Sequence, residues 1–392
     1  MTEGRIHGDV ASGLEPVADA FRANFRKRGE LGAAVAVYRD GKCLVDLWGG
    51  IADRRTGTPW QRDTVVPVFS TTKGLAGLAM SHAHARGLFD YEAPVARYWP
   101  EFAQAGKEAI TVRQLLAHQA GLVAIDTPMP LEVLADPDRR DASLASQRPN
   151  WKPGERHGYH AGTIGLYQAA LLRRCDTRGR GVRDYFADEI AKPLGLEFWI
   201  GRPRELGAER VAQMRFVPPL TLPRMPLRFA LNFVNPRSLL ARAALGSGLR
   251  LSDLSSPLFW EVEQPSGLGI GEARAIARAY AEFAAGSPVL GVGRATLDAL
   301  EQPAQSPRGG ELDLVVHAMS RFSLGFMKPC GALPWSRSHR PYGMAGAGGS
   351  FGFADPDLDI GYAYAPNRIG IHLVDDPRER ALRQAVYRCL GA

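Results

Sequence analysis

The sequence has little of what marks the more specialised classes of protein. Its four cysteines lie far apart and form no CxxC pair, so we expect no disulfide framework and no zinc site, and buried or partly buried free thiols instead. No apolar run approaches the roughly 20 residues of a membrane-spanning helix. No internal repeat or low-complexity tract interrupts the 392 residues, which excludes solenoid and linker-like architectures.

The charged residues give no sign of a polyanionic partner. There are 48 Lys and Arg against 41 Asp and Glu, a formal net charge of +7, but basic side chains are interleaved with acidic ones, as in DPDRRDAS (136–143). This pattern is typical of solvated surfaces, so we expect neither nucleic acid nor a membrane as partner. The first residues, MTEGRIHGDVASGLEP, lack the basic start and apolar segment of a secretory signal, which predicts a cytoplasmic, reduced protein.

The composition indicates a folded body of considerable size. Hydrophobic residues make up 45% of the chain and charged residues 23%, the proportions of an ordinary globular protein. The length suits two or three average domains, or one large α/β body that carries an insertion.

Periodicity and turn residues predict helix and strand at both chain ends. Near the N-terminus, an amphipathic helix over 14–28 precedes a β-hairpin over 32–50, whose turn is Asp40-Gly41. Near the C-terminus, a glycine-rich run is followed by a strand and by a closing helix over 376–390. Both ends are therefore expected to contribute to an α/β layer.

The middle of the chain is predicted to be mostly helical. Apolar spacing indicates helices over 71–86 and 271–286. Residues 126–150, which contain four prolines, are expected to form a surface loop with one short helix. Residues 201–268 are rich in proline and glycine and show little periodicity, which predicts an insertion or a lid.

The most informative motif is Ser70-Thr71-Thr72-Lys73, where an extended apolar run changes into a predicted helix. Three residues are about one helical turn, so the Lys73 amine can reach the Ser70 hydroxyl. A buried lysine loses its proton more readily and can then activate a serine as nucleophile, while amides at a helix start stabilise an oxyanion. Because SxxK also arises by chance, an N-cap serine followed by a surface lysine is the alternative.

Longer segments around this motif resemble a known family. They are VFSTTKGLAGLAMSHAHARGLFDYEAPVARYWPEF, ITVRQLLAHQAGL and WKPGERHGYHAGTIGLYQAALL. They resemble the serine hydrolases related to class C β-lactamases and penicillin-binding proteins, above all the family VIII carboxylesterases. The resemblance implies an α+β fold of the β-lactamase/transpeptidase type. Residues 1–65 and 310–392 would form an antiparallel sheet flanked by helices, and residues 66–309 a mostly helical domain that contains the insertion.

The resemblance also implies a role for a tyrosine. In the family, the lysine of SxxK is joined by the tyrosine of a YxN or YxA tripeptide, which matches Tyr159-His160-Ala161 here. Tyr159 would then shuttle protons together with Lys73. From its own surroundings, Tyr159 is equally compatible with a packed aromatic beside a glycine turn. The resemblance gives His157 and His160 no main role, and we expect them to support the tyrosine loop.

A glycine-rich run near the C-terminus corresponds to the third family motif, which is KTG in lactamases and HxG or WxG in many esterases. The backbone amides expected to lie near the substrate are those of Gly346, Ala347, Gly348 and Gly349. One of them, at Ala347 or Gly349, would complete an oxyanion hole with the Ser70 amide. Met344 stands where the family has His or Lys, so the cation that would hold a β-lactam carboxylate is missing. A glycine-rich bend between strands is the purely structural alternative.

Three further motifs offer competing chemistry. Gly348 to Gly352 spells GxSxG, the nucleophile elbow of α/β-hydrolases, but a strand rather than a helix is predicted after Ser350. GLGIGE (267–272) is an incomplete dinucleotide-binding loop. Asp355 and Asp357 do not form a calcium-loop series, and no metal site is expected.

The expected activity is therefore the two-step hydrolysis of a small-molecule carboxylic ester. Ser70 would form the acyl-enzyme, Lys73 and Tyr159 would act as a general-base pair, and no metal or organic cofactor would take part. Trp151, Met344 and Phe351 are predicted to line the substrate pocket, together with aromatic residues of 216–234.

Other activities stay open on the sequence. Acyl transfer to another alcohol or amine, and weak β-lactamase or peptidase activity, would use the same residues. A binding protein that keeps the fold without turnover is the alternative outside catalysis. The oligomeric state is left open.

Overall fold

The computed structural model describes residues 6–216, 227–245, 248, 252–253, 256–331, 333–372 and 374–391. The centre of the predicted insertion, 217–226, lies outside the described residues. The strands are β1 (Ile6–Val10), β2 (Gly32–Arg39), β3 (Lys42–Asp53), β4 (Thr58–Pro59), β5 (Val66–Pro67), β6 (Phe198–Ile200), β7 (Gly269–Gly271), β8 (Tyr342–Ala345), β9 (Phe351–Asp355) and β10 (Ile360–Pro366).

The α-helices are α1 (Glu15–Lys27), α2 (Thr71–Ala85), α3 (Val112–Leu116), α4 (Leu131–Leu134), α5 (Pro137–Ser146), α6 (Ile164–Cys175), α7 (Val182–Phe186), α8 (Lys192–Leu194), α9 (Leu227–Val234), α10 (Leu239–Leu245), α11 (Pro257–Glu261), α12 (Ala273–Ala284), α13 (Arg294–Glu301) and α14 (Pro377–Leu390). Short 3₁₀ helices lie at Val95–Arg97, Pro100–Phe102 and Ala208–Arg210, and a π-helix at Ala187–Ala191.

The main sheet joins the two ends of the chain. Its strands follow the order β1-β3-β2-β10-β9-β8, with β4 added to β3, and each pair is antiparallel. The β2–β3 hairpin turns at Asp40 and Gly41, which both have positive φ, as a tight two-residue hairpin requires. Because β10 pairs with β2, the C-terminal strands extend the sheet that the N-terminal hairpin begins. The expected α+β fold is confirmed.

Alternation along the strands produces a core on each face of the sheet. Val35 and Val37 of β2 and Tyr362 of β10 belong to the core that includes α1 and α14. Ala36 and Ala363 point to the opposite face, where α12 packs. Both faces of the central strands are therefore buried.

Glycines on one face let α12 lie directly on the sheet. A methyl group added at Gly361 would lie 2.0 Å from the carbonyl oxygen of Ala277, and one added at Gly352 would lie 2.6 Å from a methyl of Ile276. Distances this short are not tolerated between real atoms, so the helix could not approach the sheet over larger side chains.

Helix α2 is buried at the junction of the sheet and the helical region. Its residues from Thr71 to Ala83 are all buried. Two glycines make this packing possible, because a methyl group at Gly74 would lie 1.8 Å from the hydroxyl of Tyr280 and one at Gly77 2.7 Å from the Phe326 ring. The small sheet β5-β7-β6 lies beside the start of the helix.

The structure departs from the sequence-based expectations in two places outside the site. Residues 126–150 contain two helices, α4 and α5, rather than one. The carboxylate of Asp136 caps α5 by accepting the amides of Asp138 and Arg139, and a proline in the first turn is compatible with a helix start. Cys43 is exposed rather than buried or partly buried. None of the described helices is both long and apolar enough to cross a membrane.

The contact between α12 and the sheet generates a stability prediction. Gly361→Ala should lower the free energy of unfolding by about 1–3 kcal/mol, because the added methyl must push the α12 backbone away. Gly331→Ala is the matched control, since a methyl group there meets no atom within 4 Å. Urea denaturation measures both. Equal urea midpoints for the two variants would show that α12 can move away from the sheet without a loss of stability.

Candidate active site

Ser70 lies at the start of α2, where the chain leaves β5 and turns into the helix. Phe69, directly before it, has φ +48°, a conformation that non-glycine residues adopt rarely and at a cost of about 1–3 kcal/mol. The amide of Val68 donates to the carbonyl of Gly269 in β7 over 3.0 Å, which fixes the approach to this bend. Ser70 is thereby held, half-buried, at the helix terminus.

Lys73 lies one helical turn further along and is 1% exposed. Its Nζ is 3.1 Å from the Ser70 Oγ and 2.6 Å from the carbonyl oxygen of Ser266. Burial lowers the pKa of Lys73 to about 7, because the ammonium form loses its hydration. Near neutral pH a large fraction of the amine is therefore unprotonated and able to accept the Ser70 proton.

Tyr159 covers this pair from the loop before α6. The Lys73 Nζ lies 4.8 Å from the centre of the Tyr159 ring, and the Ser70 hydroxyl is close enough to the Tyr159 hydroxyl to lower the pKa of the phenol. Burial raises the pKa of Tyr159, and the contact with Ser70 offsets only part of that rise. The phenol is therefore neutral at neutral pH and can donate or relay a proton, but is not a resident phenolate.

Two buried histidines hold the Tyr159 loop. The Nδ1 of His118 accepts the backbone amide of His160 over 3.1 Å, and the Nε2 of His160 accepts the amide of Leu122 over 3.0 Å. The Nδ1 of His160 donates to the carbonyl of Gly158 over 2.7 Å. Burial lowers the pKa of His160 to about 3 and that of His118 well below its ordinary value. Both rings are neutral, and His160, with both nitrogens engaged, is not free to act as a base.

Asp313 anchors the same loop and was not found from the sequence. Its buried carboxylate accepts the backbone amides of Val315 and Val316 over 2.8 and 3.0 Å. The Ser320 hydroxyl donates to the same carboxylate over 3.2 Å and lies 3.0 Å from the Nε2 of His157. No motif marks Asp313, because the loop that it anchors is remote in sequence.

The glycine-rich run forms a four-residue turn between β8 and β9. The Gly349 amide donates to the Gly346 carbonyl over 3.2 Å, and the Gly346 amide donates to the Ser350 carbonyl over 2.8 Å. Gly348 has φ +93°, which the third position of a type II turn requires. The amides of Gly346 and Gly349 are thus engaged within the turn.

The hydrogen bonds of this turn favour one of the two amides, Ala347 or Gly349, that were predicted to complete the oxyanion hole with the Ser70 amide. Ala347 is exposed at the tip of the turn, and among the described residues no acceptor is recorded for its amide or for that of Ser70. The prediction that the Gly349 amide could be the second oxyanion donor is therefore wrong, because this amide already donates its hydrogen to the Gly346 carbonyl. A methyl group at Gly346 would lie 2.3 Å from the Val68 carbonyl oxygen, which shows how closely the turn approaches the Ser70 segment.

Two predicted pocket residues are misplaced. Phe351 is 2% exposed and packs against Trp335 and Phe353 on the α1/α14 face of the sheet, because alternate residues of β9 point to opposite faces. Met344 is 0% exposed, and its Cβ lies near Gly74 of α2. Neither side chain can touch a ligand in this arrangement, so the prediction that Met344 and Phe351 line the substrate pocket is wrong.

Trp151 does lie beside the Tyr159 loop. It is partly exposed, donates from Nε1 to the carbonyl of Arg156 over 2.9 Å, and packs edge-on against His160. Of the aromatic residues in 216–234, Phe216 and Phe233 are exposed, and the side chain of Phe229 lies outside the described part of the structure.

The competing motifs have structural explanations. The Ser350 hydroxyl donates to the Val68 carbonyl over 2.9 Å and lies 3.0 Å from the Thr71 hydroxyl, so it is buried and fastens the turn to α2. The GLGIGE segment contains β7, where a methyl group at Gly269 would lie 2.3 Å from the Thr72 hydroxyl. Within the described part of the chain, no group of three or more His, Cys, Asp or Glu could hold a metal ion.

Comparisons with known proteins agree on one family. The family model described as Beta-lactamase matches residues 17–387. A solved family VIII carboxylesterase is 34% identical, covers 98% of this chain and 100% of that one, and has a TM-score of 0.86. EstA from Arthrobacter nitroguajacolicus Rue61a is 32% identical, with coverage of 97% and 98% and a TM-score of 0.84. "Esterase/beta-lactamase LipL" of Mycobacterium tuberculosis is 32% identical over 93% of this chain and 83% of its own length.

The lowered pKa of Lys73 predicts how the reactivity of Ser70 depends on pH. Below this pKa the ammonium cannot accept the Ser70 proton, and above it the neutral amine can. The rate constant for labelling of Ser70 by a fluorophosphonate should rise with pH, with a midpoint near 7.

Lys73→Met is the control and should lack this rising limb, because no amine remains to titrate. A midpoint close to the ordinary lysine value of 10.5 would show that burial does not tune the amine. Intact-mass spectrometry over a pH series measures both rates.

Proposed function

The chain belongs to the Beta-lactamase family, and from this membership we propose that it is a serine hydrolase that cleaves carboxylic esters through an acyl-enzyme on Ser70. The observation that carries the proposal is the 3.1 Å contact between the Ser70 Oγ and the Nζ of a lysine with a pKa of about 7. A serine with such a neighbour can be deprotonated at neutral pH without a metal or a histidine.

Acylation begins with proton transfer from Ser70 to the neutral Lys73 amine. The Ser70 oxygen then forms a bond to the ester carbonyl carbon, and the carbonyl oxygen becomes an oxyanion that the amides of Ser70 and Ala347 stabilise. When the carbon–oxygen bond to the alcohol breaks, Tyr159 donates its proton to the leaving oxygen and recovers one from the Lys73 ammonium. The direction of this relay follows from the pKa values, since the phenol is neutral and the ammonium is the stronger acid.

Deacylation uses the same groups in reverse. Water loses a proton to Lys73 by way of Tyr159 and attacks the acyl carbon, and the oxyanion forms again at the same two amides. The bond from that carbon to the Ser70 oxygen then breaks, and the serine regains its proton. The Ser266 carbonyl keeps the lysine aligned through both halves, because it accepts one amine hydrogen and leaves the lone pair for Ser70.

The residue at position 344 bears on the substrate class, because the family's third motif has a cationic side chain there. Met344 supplies no charge there, and no charge is required by a neutral ester. Names among the relatives, including the family VIII carboxylesterase and "Esterase EstB" of Burkholderia gladioli, support this choice. The EstB match is partial, with 36% identity over 29% of this chain and 30% of that protein.

A weak β-lactamase activity is the second candidate. It is favoured by the name "Esterase/beta-lactamase" of the mycobacterial relative, which this chain matches over 93% of its length. The acyl-enzyme on Ser70 would be the same, but position 344 supplies no cation for the carboxylate of the β-lactam, because a buried methionine stands there. We therefore expect esters to be cleaved faster.

Labelling tests the nucleophile. A fluorophosphonate should add one mass adduct to the parent protein and none to Ser70→Ala. Ser350→Ala is the control and should still be labelled, although more slowly, because the buried Ser350 hydroxyl holds the turn through hydrogen bonds and is not free to attack. An unlabelled parent protein would favour a binding protein without turnover, and loss of labelling in Ser350→Ala alone would identify the GxSxG serine as the nucleophile.

A substrate panel tests the class of substrate. p-Nitrophenyl esters of increasing acyl length should be hydrolysed with kcat/KM at least about 10²-fold above that of a chromogenic cephalosporin, since a missing charge contact costs on the order of 2–3 kcal/mol. Equal turnover of both substrates by the parent protein would contradict the ester preference.

A further inference from the structure

Arg378, in the first turn of α14, is 3% exposed and uses all five of its N–H groups. Nε and Nη2 donate to the two carboxylate oxygens of Asp376 over 3.0 and 2.9 Å. Nη1 donates to Glu30 over 2.9 Å and to the carbonyl of Arg368 over 3.0 Å. The second Nη2 hydrogen goes to the carbonyl of Gly348 over 2.9 Å.

The last of these bonds reaches the turn that carries Ala347. The Gly348 carbonyl accepts a second hydrogen bond, of 3.2 Å, from the Gly370 amide. These two hydrogen bonds fix the Gly348 carbonyl, and with it the side of the turn that faces α14. The other side is pinned by Ser350, whose hydroxyl is tied to α2. Because both sides of the turn are held, we expect the exposed Ala347 amide to have little freedom to reorient.

The ion pair also packs directly against the turn. A methyl group at Gly349 would lie 2.9 Å from the Oδ2 of Asp376, and one at Gly370 would lie 2.3 Å from the same atom. Glu30 is in turn hydrogen-bonded by the Tyr364 hydroxyl of β10, so the cluster is joined to the centre of the sheet. A displacement of Arg378 would leave buried carboxylates unpaired, which is costly, so the cluster is a rigid support.

We propose that Arg378 is a positioning residue for the oxyanion turn, so that the closing helix contributes to transition-state stabilisation although it touches no substrate. The proposal rests on the proposed function, because an oxyanion hole is needed only if Ser70 forms an acyl-enzyme. The arginine is required for its geometry: five donors in one plane serve two carboxylates and two carbonyls at once, whereas a lysine has three donors.

Arg383 on the same helix supplies a matched control. It is also 3% exposed and also forms buried ion pairs, with Glu379 over 3.0 Å and with Asp375 over 2.7 Å. Among the described residues, none of its recorded hydrogen bonds reaches the 346–350 turn. Arg378→Lys and Arg383→Lys therefore disturb the same kind of buried pair, but only the first disturbs the turn.

The experiment compares these two variants with the parent protein on a p-nitrophenyl ester and on an alkyl boronic acid, which forms a tetrahedral adduct with an active serine. Loss of a single oxyanion donor costs about 10²–10³-fold in kcat. Misplacement of one donor in Arg378→Lys should lower kcat by about 10–10²-fold with KM changed less than about threefold, and should weaken boronate binding by a similar factor. Arg383→Lys should lose about as much thermal stability as Arg378→Lys, but should keep the kcat and the boronate affinity of the parent protein.

The outcomes separate the possibilities. Equal kcat and boronate affinity in the two variants, at comparable melting temperatures, would show that Arg378 serves stability alone and would overturn the proposal. A parent protein that is not labelled at Ser70 would instead overturn the proposed function.

If Arg378→Lys does not fold, Arg378→Gln is combined with Glu30→Gln, which removes one of the two buried carboxylates that Arg378 pairs with. Glu30→Gln alone is then the control. The double variant should show a larger loss of kcat and boronate affinity than the single one; parent-like values for the double variant would overturn the proposal.

Discussion

The site depends on keeping one lysine amine out of water. Lys73 is buried by its own helix, which is itself enclosed between the edge of the sheet and the helical region, and loss of hydration lowers its pKa to about 7. Among the described residues no carboxylate pairs with the amine. Desolvation accounts for the lowered pKa, and the Ser266 carbonyl orients the amine without contributing a full charge. If water reached this amine, Ser70 would have no base.

The enclosure of α2 explains features of the fold that are otherwise unrelated. Gly74 and Gly77 remove side chains from the helix surface, so that Tyr280 and Phe326 can close over it. The terminus of the helix is exposed only at Ser70, after a residue with strained backbone. Solvent and substrate can therefore reach the nucleophile Ser70, while the base Lys73 remains shielded from water.

Separate groups of buried residues hold the tyrosine loop and the oxyanion turn. The tyrosine loop is held by neutral histidines and by Asp313, which contacts His157 of this loop through the Ser320 hydroxyl. The oxyanion turn is held between Ser350 and the Arg378 cluster. Charges lie in these supports, away from the reacting atoms. The groups proposed to react, Ser70, Lys73 and Tyr159, can all be neutral at the start of the reaction, which suits a neutral substrate.

Much of this protein could be predicted from its sequence, because the signals were local. The SxxK spacing placed the amine one turn from the hydroxyl, the Asp40-Gly41 turn indicated the hairpin, and periodicity indicated α1, α2, α12 and α14. The assignment of Phe351 and Met344 to the pocket failed, because strand alternation and packing against α2 become known only when the faces of the sheet are assigned. Asp313, the choice of Ala347 over Gly349, and the reach of Arg378 to Gly348 depend on contacts between remote segments, and such contacts leave no mark in local sequence.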